Sequence, residues 1–547
     1  MNIIQRFRYG FTLLSVLTLT AVQETAAQEP AADAPDSLLL RDYRYVSTQD
    51  VWVGAANASG LTRFAAPNIA TAQLSVQLEG GSLRNYSDAR HVVEWQAGAQ
   101  ALHRLSRSTV VYGAIGYNNF SGSSMTGSVF IDPSRKPFDI MEYTADNAGD
   151  KHRDTYHLTG AVATDVWRGY AVGVSIDYTS ANYAKYKDLR HKNKLMDLNV
   201  SGGVYAPVLP WLQLGAHYAY HRNTESLDFS VNGKNEVVYK SLISYAACFG
   251  MVEQYGNDGY TDQAREMPLF EDGHAWGVQA GVSPHSSLSM LASYTYATGS
   301  GYYGRKSPYT ITYTGHERRK HQASAALVYQ AADSRHRLDV AYTLEKLSGK
   351  AETVRGQKNE SGATYYEYYD PVETADKQWR DVTVAYSADM QVRGETPVWH
   401  FGVNYAWHQR KQAAYLYPFY RHQQLHTNRI AVEAEHNLLA RKGIYTFALG
   451  IGYQKGHGYP ARDYTFITPS DRQESPATID EALYAEYAFL AARQWHFQGR
   501  VQYAFVFPGT RLKTHAALSF EYRTASALDL IGSRHRGRGM LAVGCTF

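Results

Sequence analysis

Apolar and polar residues alternate along much of this chain, and a period of two is the pattern of β-strands rather than of helices. In the segment 193–206, Met196 and Leu198 share one face, while Asp197 and Asn199 lie on the other. Similar alternation occurs at 170–178, 212–220, 397–408, 445–453 and 495–505. Each segment is about ten residues long, which is the length that a tilted strand needs to cross a bilayer.

Aromatic residues stand near the ends of several of these segments. Tyr170 and Tyr178 bound one of them, and Tyr445 and Tyr453 bound another. A strand of a soluble sandwich has no reason to place its aromatic side chains at its ends. Transmembrane β-barrels do so, because aromatic girdles lie at both membrane interfaces and flank an apolar outer band. The opposite, polar face of each strand then points into the lumen.

The connections between the segments alternate in length. Short connections are predicted at 165–169, 206–211, 282–287, 330–337 and 438–443. Long connections are predicted at 119–152, 179–192, 222–273, 298–318, 346–377, 409–424 and 454–478. This asymmetry indicates an all-β fold, a transmembrane antiparallel β-barrel with short periplasmic turns and long extracellular loops.

The number of strands follows from a parity rule. We mark about nineteen candidate strands, whereas bacterial single-chain barrels have an even number. The alternation of connections becomes ambiguous near 507–513 and 525–533, so we place one misread strand in the last quarter of the chain. We predict eighteen strands, with sixteen and twenty as the alternatives.

The N-terminus predicts export. Arg6 and Arg8 precede an apolar stretch at 11–22, and the small residues Ala26 and Ala27 follow it. This order is that of a secretory signal peptide, here residues 1–27. We therefore predict a periplasmic or plugging segment at 28–69 and the barrel at 70–547.

Composition and charge further restrict the possible classes of protein and of binding partner. The chain has 44 tyrosines among 547 residues, and this residue suits strands that lie between an apolar and an aqueous environment. With 54 basic and 51 acidic residues the net charge is only +3, so nucleic acid is not a predicted partner. Two cysteines, Cys248 and Cys545, do not make a disulfide framework.

The last ten residues, RGMLAVGCTF, carry a resemblance to a known class of protein. Leu541, Val543 and Phe547 occupy alternate positions and end the chain on an aromatic residue, with Cys545 between them. In this the chain resembles Gram-negative outer-membrane β-barrels. Its many tyrosines, together with Gln28 after the predicted signal, also resemble those of Bacteroidota barrels that have no assigned activity. The resemblance implies location in the outer membrane after export, contact with its lipid and lipopolysaccharide, and recognition of Leu541, Val543 and Phe547 by the barrel-assembly machinery.

A second, partial resemblance lies near the N-terminus. The stretch 50–64 is similar to the segment that plugs the lumen in barrels related to long-chain fatty-acid transporters. In those barrels a proline follows the asparagine, whereas Asn57 is followed by Ala58. The resemblance implies that this segment plugs the lumen of the present chain.

Charged and polar residues on the predicted inner face are the candidate functional residues. Two interpretations remain open, because such residues either select a solute or pair across strands and hydrate the wall. The candidate lumen-lining residues are Asp197, His400, Asn404, His408, Glu433, Glu435, Arg500, Glu521 and Arg523.

A tyrosine-rich predicted loop is the second candidate site. Its aromatic rings and carboxylate suit a sugar or a cation, although the same run is typical of a projecting hairpin. The residues are Tyr365, Tyr366, Glu367, Tyr368 and Tyr369.

The sequence predicts no metal site and no cofactor. His422 and His426 lie four apart at the start of a predicted strand, which separates them by roughly 13 Å along the strand. Zinc needs further ligands and a closer arrangement.

Three functions are compatible with these observations. We favour a channel or transporter component for an unidentified solute. The alternative is a non-transporting surface scaffold that works with a periplasmic or surface partner protein. An enzyme at the barrel rim is the least favoured, because the chain has no Gly-x-Ser-x-Gly, His-Glu-x-x-His or phosphate-loop motif, and we predict that the protein is not an enzyme.

Overall fold

The computed structural model describes residues 38–233, 236–257, 259–440, 442–526 and 534–547. The predicted signal peptide at 1–27 lies outside these residues. No helix within the described ranges is long and apolar enough to cross a membrane.

Strands dominate the described part of the chain. In chain order they are β1 (Ile69–Gly81), β2 (His91–Arg104), β3 (Thr109–Met125), β4 (Asp139–Glu142), β5 (Gly149–Trp167), β6 (Tyr170–Lys185), β7 (Arg190–Leu209), β8 (Leu212–Ser230), β9 (Lys240–Ala246), β10 (Phe249–Gln254), β11 (Met267–His285), β12 (Leu288–Ser307), β13 (Thr310–Gln330), β14 (Ser334–Lys358), β15 (Thr364–Met390), β16 (Trp399–Leu416), β17 (Phe419–Ala440), β18 (Gly443–Thr465), β19 (Ala477–Thr478), β20 (Gln494–Val506), β21 (Lys513–Ala525) and β22 (His535–Thr546). The α-helices are α1 (Tyr43–Ser47) and α2 (Asp480–Ala491).

Eighteen of these strands form one closed antiparallel sheet, which confirms the predicted fold and strand number. Each barrel strand pairs with the next barrel strand along the chain, and β22 pairs back with β1. The remaining strands, β4, β9, β10 and β19, form a separate four-stranded sheet.

The barrel closes on the last residue of the chain. The Phe547 backbone N–H donates to the Ala70 carbonyl at 3.0 Å, and the Ala70 N–H donates to the Phe547 carbonyl at 2.8 Å. Leu541 and Val543 are exposed on the outer face of β22. Closure removes both sheet edges, so no row of backbone groups is left unpaired in lipid.

The outer face carries the predicted apolar band and aromatic girdles. Along β18, the side chain of Leu449 is 73% exposed, and Tyr445 and Tyr453 stand about equally far from it on either side. At one interface the Tyr218 hydroxyl and His274 Nδ1 are 2.7 Å apart on neighbouring strands. Such amphipathic rings suit the boundary between lipid and water.

Most of the predicted long connections are largely continued strands, whereas those at 119–152 and 222–273 are mainly segments between barrel strands. In the segment 298–318, β12 runs to Ser307 and β13 starts at Thr310, and in the segment 409–424 only two residues separate β16 from β17. Outside the lipid the outward positions are polar, so the alternation fades although the hydrogen-bond ladder continues. The strands are therefore longer than the ten-residue segments that predicted them.

The last quarter of the chain, where the strand assignment was ambiguous, contains a helix that was not predicted from the sequence. Ala482 and Leu483 of α2 are buried in a cluster with Leu242 and Cys248 of the small sheet. The ambiguous segment 507–513 is the short connection between β20 and β21. Of the other ambiguous segment, 527–533 lie outside the described residues.

The orientation of β18 and β16 gives a first prediction. Leu449 faces lipid midway between the two girdle tyrosines, whereas Asn404 is exposed on the inner face. Leu449→Arg should lower the free energy of unfolding by about 2–4 kcal/mol, the cost of a charge near the bilayer midplane. Urea unfolding in lipid vesicles measures this.

The matched control is Asn404→Arg. An arginine at this inward, hydrated position should change the free energy of unfolding by about 0.5 kcal/mol or less. Equal losses for the two variants would contradict the assignment of the inner and outer faces.

Candidate functional site: the closed lumen

The segment 38–66 lies inside the barrel at the end of the short turns. Asn57 Nδ2 donates to the carbonyls of Val204 and Ala216 on adjacent wall strands, at 2.8 and 3.3 Å. Leu61 and Phe64 are buried in a cluster with inward residues of β2, β3 and β5. We call 38–66 the N-terminal segment.

On one side the N-terminal segment touches glycines of the wall. A Cβ at Gly173 would lie 2.4 Å from the Ser59 nitrogen, and a Cβ at Gly203 would lie 2.2 Å from Asn57 Oδ1. At Gly281 the nearest atom would be Trp52 Nε1, at 2.7 Å. We call these inward glycines, together with Gly215, the glycine dock. Only residues without a side chain allow this close approach.

On the other side the contacts are polar. Arg44 of α1 forms an ion pair with Glu435 at 3.0 Å, and Glu435 also pairs with Arg500. Arg335 donates to the Tyr45 carbonyl at 2.8 Å and to Thr48 Oγ1 at 3.1 Å. We call these contacts the polar seam.

A cavity of about 160 Å³ lies within the polar seam. Its lining combines both signs of charge and belongs to the N-terminal segment and to the wall: Asp42, Arg44, Thr396, Glu435, Asn437, Ile444, Thr446, Arg500, Gln502, Ala504 and Lys513. The N-terminal segment is therefore closely packed on the glycine dock and loosely packed along the polar seam.

The pKa values of Arg44 and Asp50 in the N-terminal segment are shifted by this environment. Burial lowers the pKa of the Arg44 guanidinium, but the carboxylates of Glu435 and Asp42 outweigh it and hold the pKa above its ordinary value. Burial raises the pKa of Asp50, although the Trp52 N–H donates to its carboxylate at 2.9 Å. Arg44 stays charged, as its role in the ion pair requires.

The extracellular end of the lumen is filled by the connections between strands. The small sheet and its flanking segments pack against the wall, with Phe138, Ile243 and Tyr303 in one buried cluster. Arg135 reaches inward to Glu345 at 2.7 Å and to Asp381 at 2.8 Å. We call the described residues of 126–148, 231–266 and 477–491 the extracellular cap.

Between the two closures the inner wall is exposed. On β13, Gln322 and Ser324 are exposed, whereas His316 and Val328 on the same face are buried toward either end. We call this space the chamber. Its exposed side chains are Gln73, Gln96, His157, Asn199, Gln322, Ser324, Thr383, Asn404, Arg429 and Gln498.

Four of the candidate lumen residues meet at the polar seam. Glu435 and Arg500 pair with each other, and Glu435 also pairs with Arg44. His400 Nδ1 is 2.7 Å from Asp389, and its Nε2 is 3.7 Å from Glu433.

The other candidates lie elsewhere on the inner wall. His408 is 2.5 Å from Asp381, the carboxylate that also binds Arg135 of the extracellular cap. Asp197 pairs with His221 at 3.0 Å, and Glu521 pairs with Arg523 at 2.6 Å. Asn404 alone is exposed in the chamber.

The tyrosine-rich candidate lies at the start of β15. The Tyr368 hydroxyl accepts from the Thr312 N–H at 2.8 Å and donates to the Thr310 carbonyl at 3.2 Å, so it joins two neighbouring hairpins. Tyr366 N–H donates to the Pro308 carbonyl. The remaining members, Tyr365, Glu367 and Tyr369, belong to the same strand.

Sequence reasoning missed several residues that hold the closures. Arg335 is indistinguishable by sequence from its neighbour Arg337, and Arg135 lay in a segment predicted to be an extracellular loop. Asn57 lay in the stretch with the partial plug resemblance, but its contacts with the carbonyls of β7 and β8 have no local signal.

Comparison with known proteins gives a family and a fold. A family model described as a family of unknown function, DUF6850, matches residues 58–547. No curated protein matches the chain in sequence.

Solved structures with a similar fold are outer-membrane proteins. The chain is similar to BauA, the ferric preacinetobactin receptor from Acinetobacter baumannii, at 9% identity over 88% of this chain and 80% of that one, with a TM-score of 0.40. It is also similar to the outer membrane transporter YddB from Escherichia coli, at 6% identity over 87% and 80% of the two chains, with a TM-score of 0.39. The CymD monoaromatic hydrocarbon channel matches at 9% identity over 90% and 91%, with a TM-score of 0.28. At these identities the likeness concerns the fold alone.

The glycine dock gives a second prediction. Gly173→Val places a side chain where the Ser59 backbone lies, and overpacking of this kind typically costs about 1–3 kcal/mol. The N-terminal segment should leave the dock, and hydrogen exchange and trypsin cleavage within 38–66 should rise.

Gly113→Val is the matched control, because a Cβ at Gly113 meets open space on the outer face. This variant should keep the protection of the N-terminal segment. If Gly173→Val keeps the same protection, the packing at the dock is refuted.

Proposed function

Because the chain belongs to DUF6850, a family of unknown function whose membership assigns no activity, we propose from the geometry that the protein is a gated outer-membrane channel or transporter component for a small polar solute. The N-terminal segment acts as its periplasmic plug, within a plug region of 28–69, and 70–547 is the barrel. The export signal at 1–27 is part of the same proposal.

The exposed chamber between two closures is the observation that supports this proposal. An eighteen-stranded barrel encloses an aqueous lumen unless something fills it. Among the described residues, those that fill the lumen lie at its two ends, and they are held against the wall by non-covalent contacts. Displacement of these segments would join the chamber to the solvent on either side.

The polar seam is the proposed place of opening. Close packing on the glycine dock holds Trp52 and Asn57, and Asn57 also donates hydrogen bonds to two wall carbonyls. Arg44 and Arg335, in contrast, hold α1 through charged groups beside a cavity. Arg500 lines that cavity and is 39% exposed. A shift of α1 away from the seam would extend the cavity past Arg500 toward the chamber, and the dock would remain occupied.

The surface-scaffold alternative has its own support. Strands β14 and β15 span 25 and 27 residues, far more than a membrane crossing needs, and they form a projecting hairpin. A barrel that never opens and presents such hairpins to a partner would be a scaffold.

Single-channel conductance in planar bilayers separates these two functions. The wild-type protein should be mostly closed. The full-length double variant Arg44→Ala, Arg335→Ala removes the contacts by which these two arginines hold α1 at the seam and should raise the open fraction severalfold.

The control is Arg319→Ala, an exposed arginine on the outer face of β13, which should behave as the wild type. A heat-modifiability gel verifies that each variant is folded. If the double variant is folded and as closed as the wild type, the gated-channel proposal is wrong and the scaffold is favoured.

Phe547 is proposed to be the terminal residue of the assembly signal, together with Val543 and Leu541. Deleting Phe547 removes its two backbone hydrogen bonds with Ala70 and the final aromatic ring. We expect a lower amount of folded barrel in outer-membrane fractions, measured by heat modifiability, before any change in conductance per barrel. Normal barrel amounts would contradict this role.

A further inference from the structure

The chemistry of the chamber wall is unusually uniform. Of the ten exposed inward side chains in the described ranges, eight end in an amide or a hydroxyl: Gln73, Gln96, Asn199, Gln322, Ser324, Thr383, Asn404 and Gln498. The other two are His157 and Arg429. Amides and hydroxyls both donate and accept hydrogen bonds without carrying charge. Such a wall matches a solute whose surface is made of hydroxyl groups.

Most inward charges of the wall have partners inside the protein. Arg318 binds Glu271 and Glu345, and Arg335 binds Asp389. Within the chamber itself, His157 is 3.0 Å from Asp177. The charges of these arginine–carboxylate pairs are compensated within the protein.

Arg429 differs from these residues. Within the described ranges it has no ion pair and no hydrogen bond from its side chain, and it is exposed on the inner face of β17. Ala406 and Gln454 lie opposite it on the neighbouring strands, so no carboxylate faces it across either strand pair. A guanidinium presents a planar set of donors that fits a carboxylate or a phosphate in two parallel hydrogen bonds.

We propose that the chamber takes a small, hydroxyl-rich solute that carries one anionic group, of the class of sugar acids. The amide and hydroxyl wall binds the hydroxyls, and Arg429 binds the anionic group. This inference rests on the proposed channel function and specifies its substrate class.

Liposome swelling with three probes of similar size tests the substrate class. The probes are glucose, gluconate and glucosamine, which differ mainly in their charge. The full-length protein carries Arg44→Ala and Arg335→Ala so that the chamber is accessible. Gluconate should enter several times faster than glucosamine, with glucose between them.

Substitution of Arg429 in that background tests the residue. Arg429→Gln should lower the gluconate rate to that of glucose, and Arg429→Glu should reverse the order of gluconate and glucosamine. Arg319→Gln, on the outer face, is the matched control and should leave all three rates unchanged.

The outcomes separate this inference from the proposed function. Swelling at equal rates for the three probes, or a gluconate preference that survives Arg429→Gln, overturns the substrate assignment and leaves the channel intact. No swelling with any probe in a folded, seam-opened variant overturns the channel and the substrate class together.

Discussion

The whole structure depends on one requirement, that each backbone N–H and C=O group within lipid finds a partner in the protein. A single open edge would leave a row of these groups unpaired. The ladder between β1 and β22, which ends at Ala70 and Phe547, meets the requirement for all eighteen strands. The pairing of β22 with β1 is therefore a consequence of membrane solvation, and the closed ring that it completes fixes the size of the lumen.

A lumen of that size must be occupied by protein side chains or by water, and both are provided for here. Apolar clusters occupy the two ends, where the N-terminal segment and the extracellular cap pack against the wall. They are built differently. The cap buries aromatic and aliphatic side chains in its own small sheet, whereas the N-terminal segment packs against glycines of the barrel wall. Its remaining side is held by charged groups around Arg44, Glu435 and Arg335.

Local physics explains how much of this could be predicted from sequence. Lipid on one face and water on the other impose an alternation of apolar and polar residues that is recognisable over ten residues, as at 445–453. The barrel and its strand number could therefore be predicted from the sequence. Contacts across the lumen are not local. Arg135 and Asp381 are separated by 246 positions, and nothing near either residue indicates the other. His400, Glu433, Glu435 and Arg500 could be placed on the inner face, but their meeting with α1 could not.

In the described part of the chain, the exposed inner wall at the middle of the barrel is the feature that packing alone does not explain. Protein interiors normally contain few voids, because empty volume forfeits contacts. A lumen that served only stability would continue the apolar packing of its two ends through the centre. Instead the central positions carry Gln322, Ser324 and Asn404, which retain favourable interactions only while water or another polar molecule contacts them. The wall is thus built to face a polar phase between the two packed ends of the lumen.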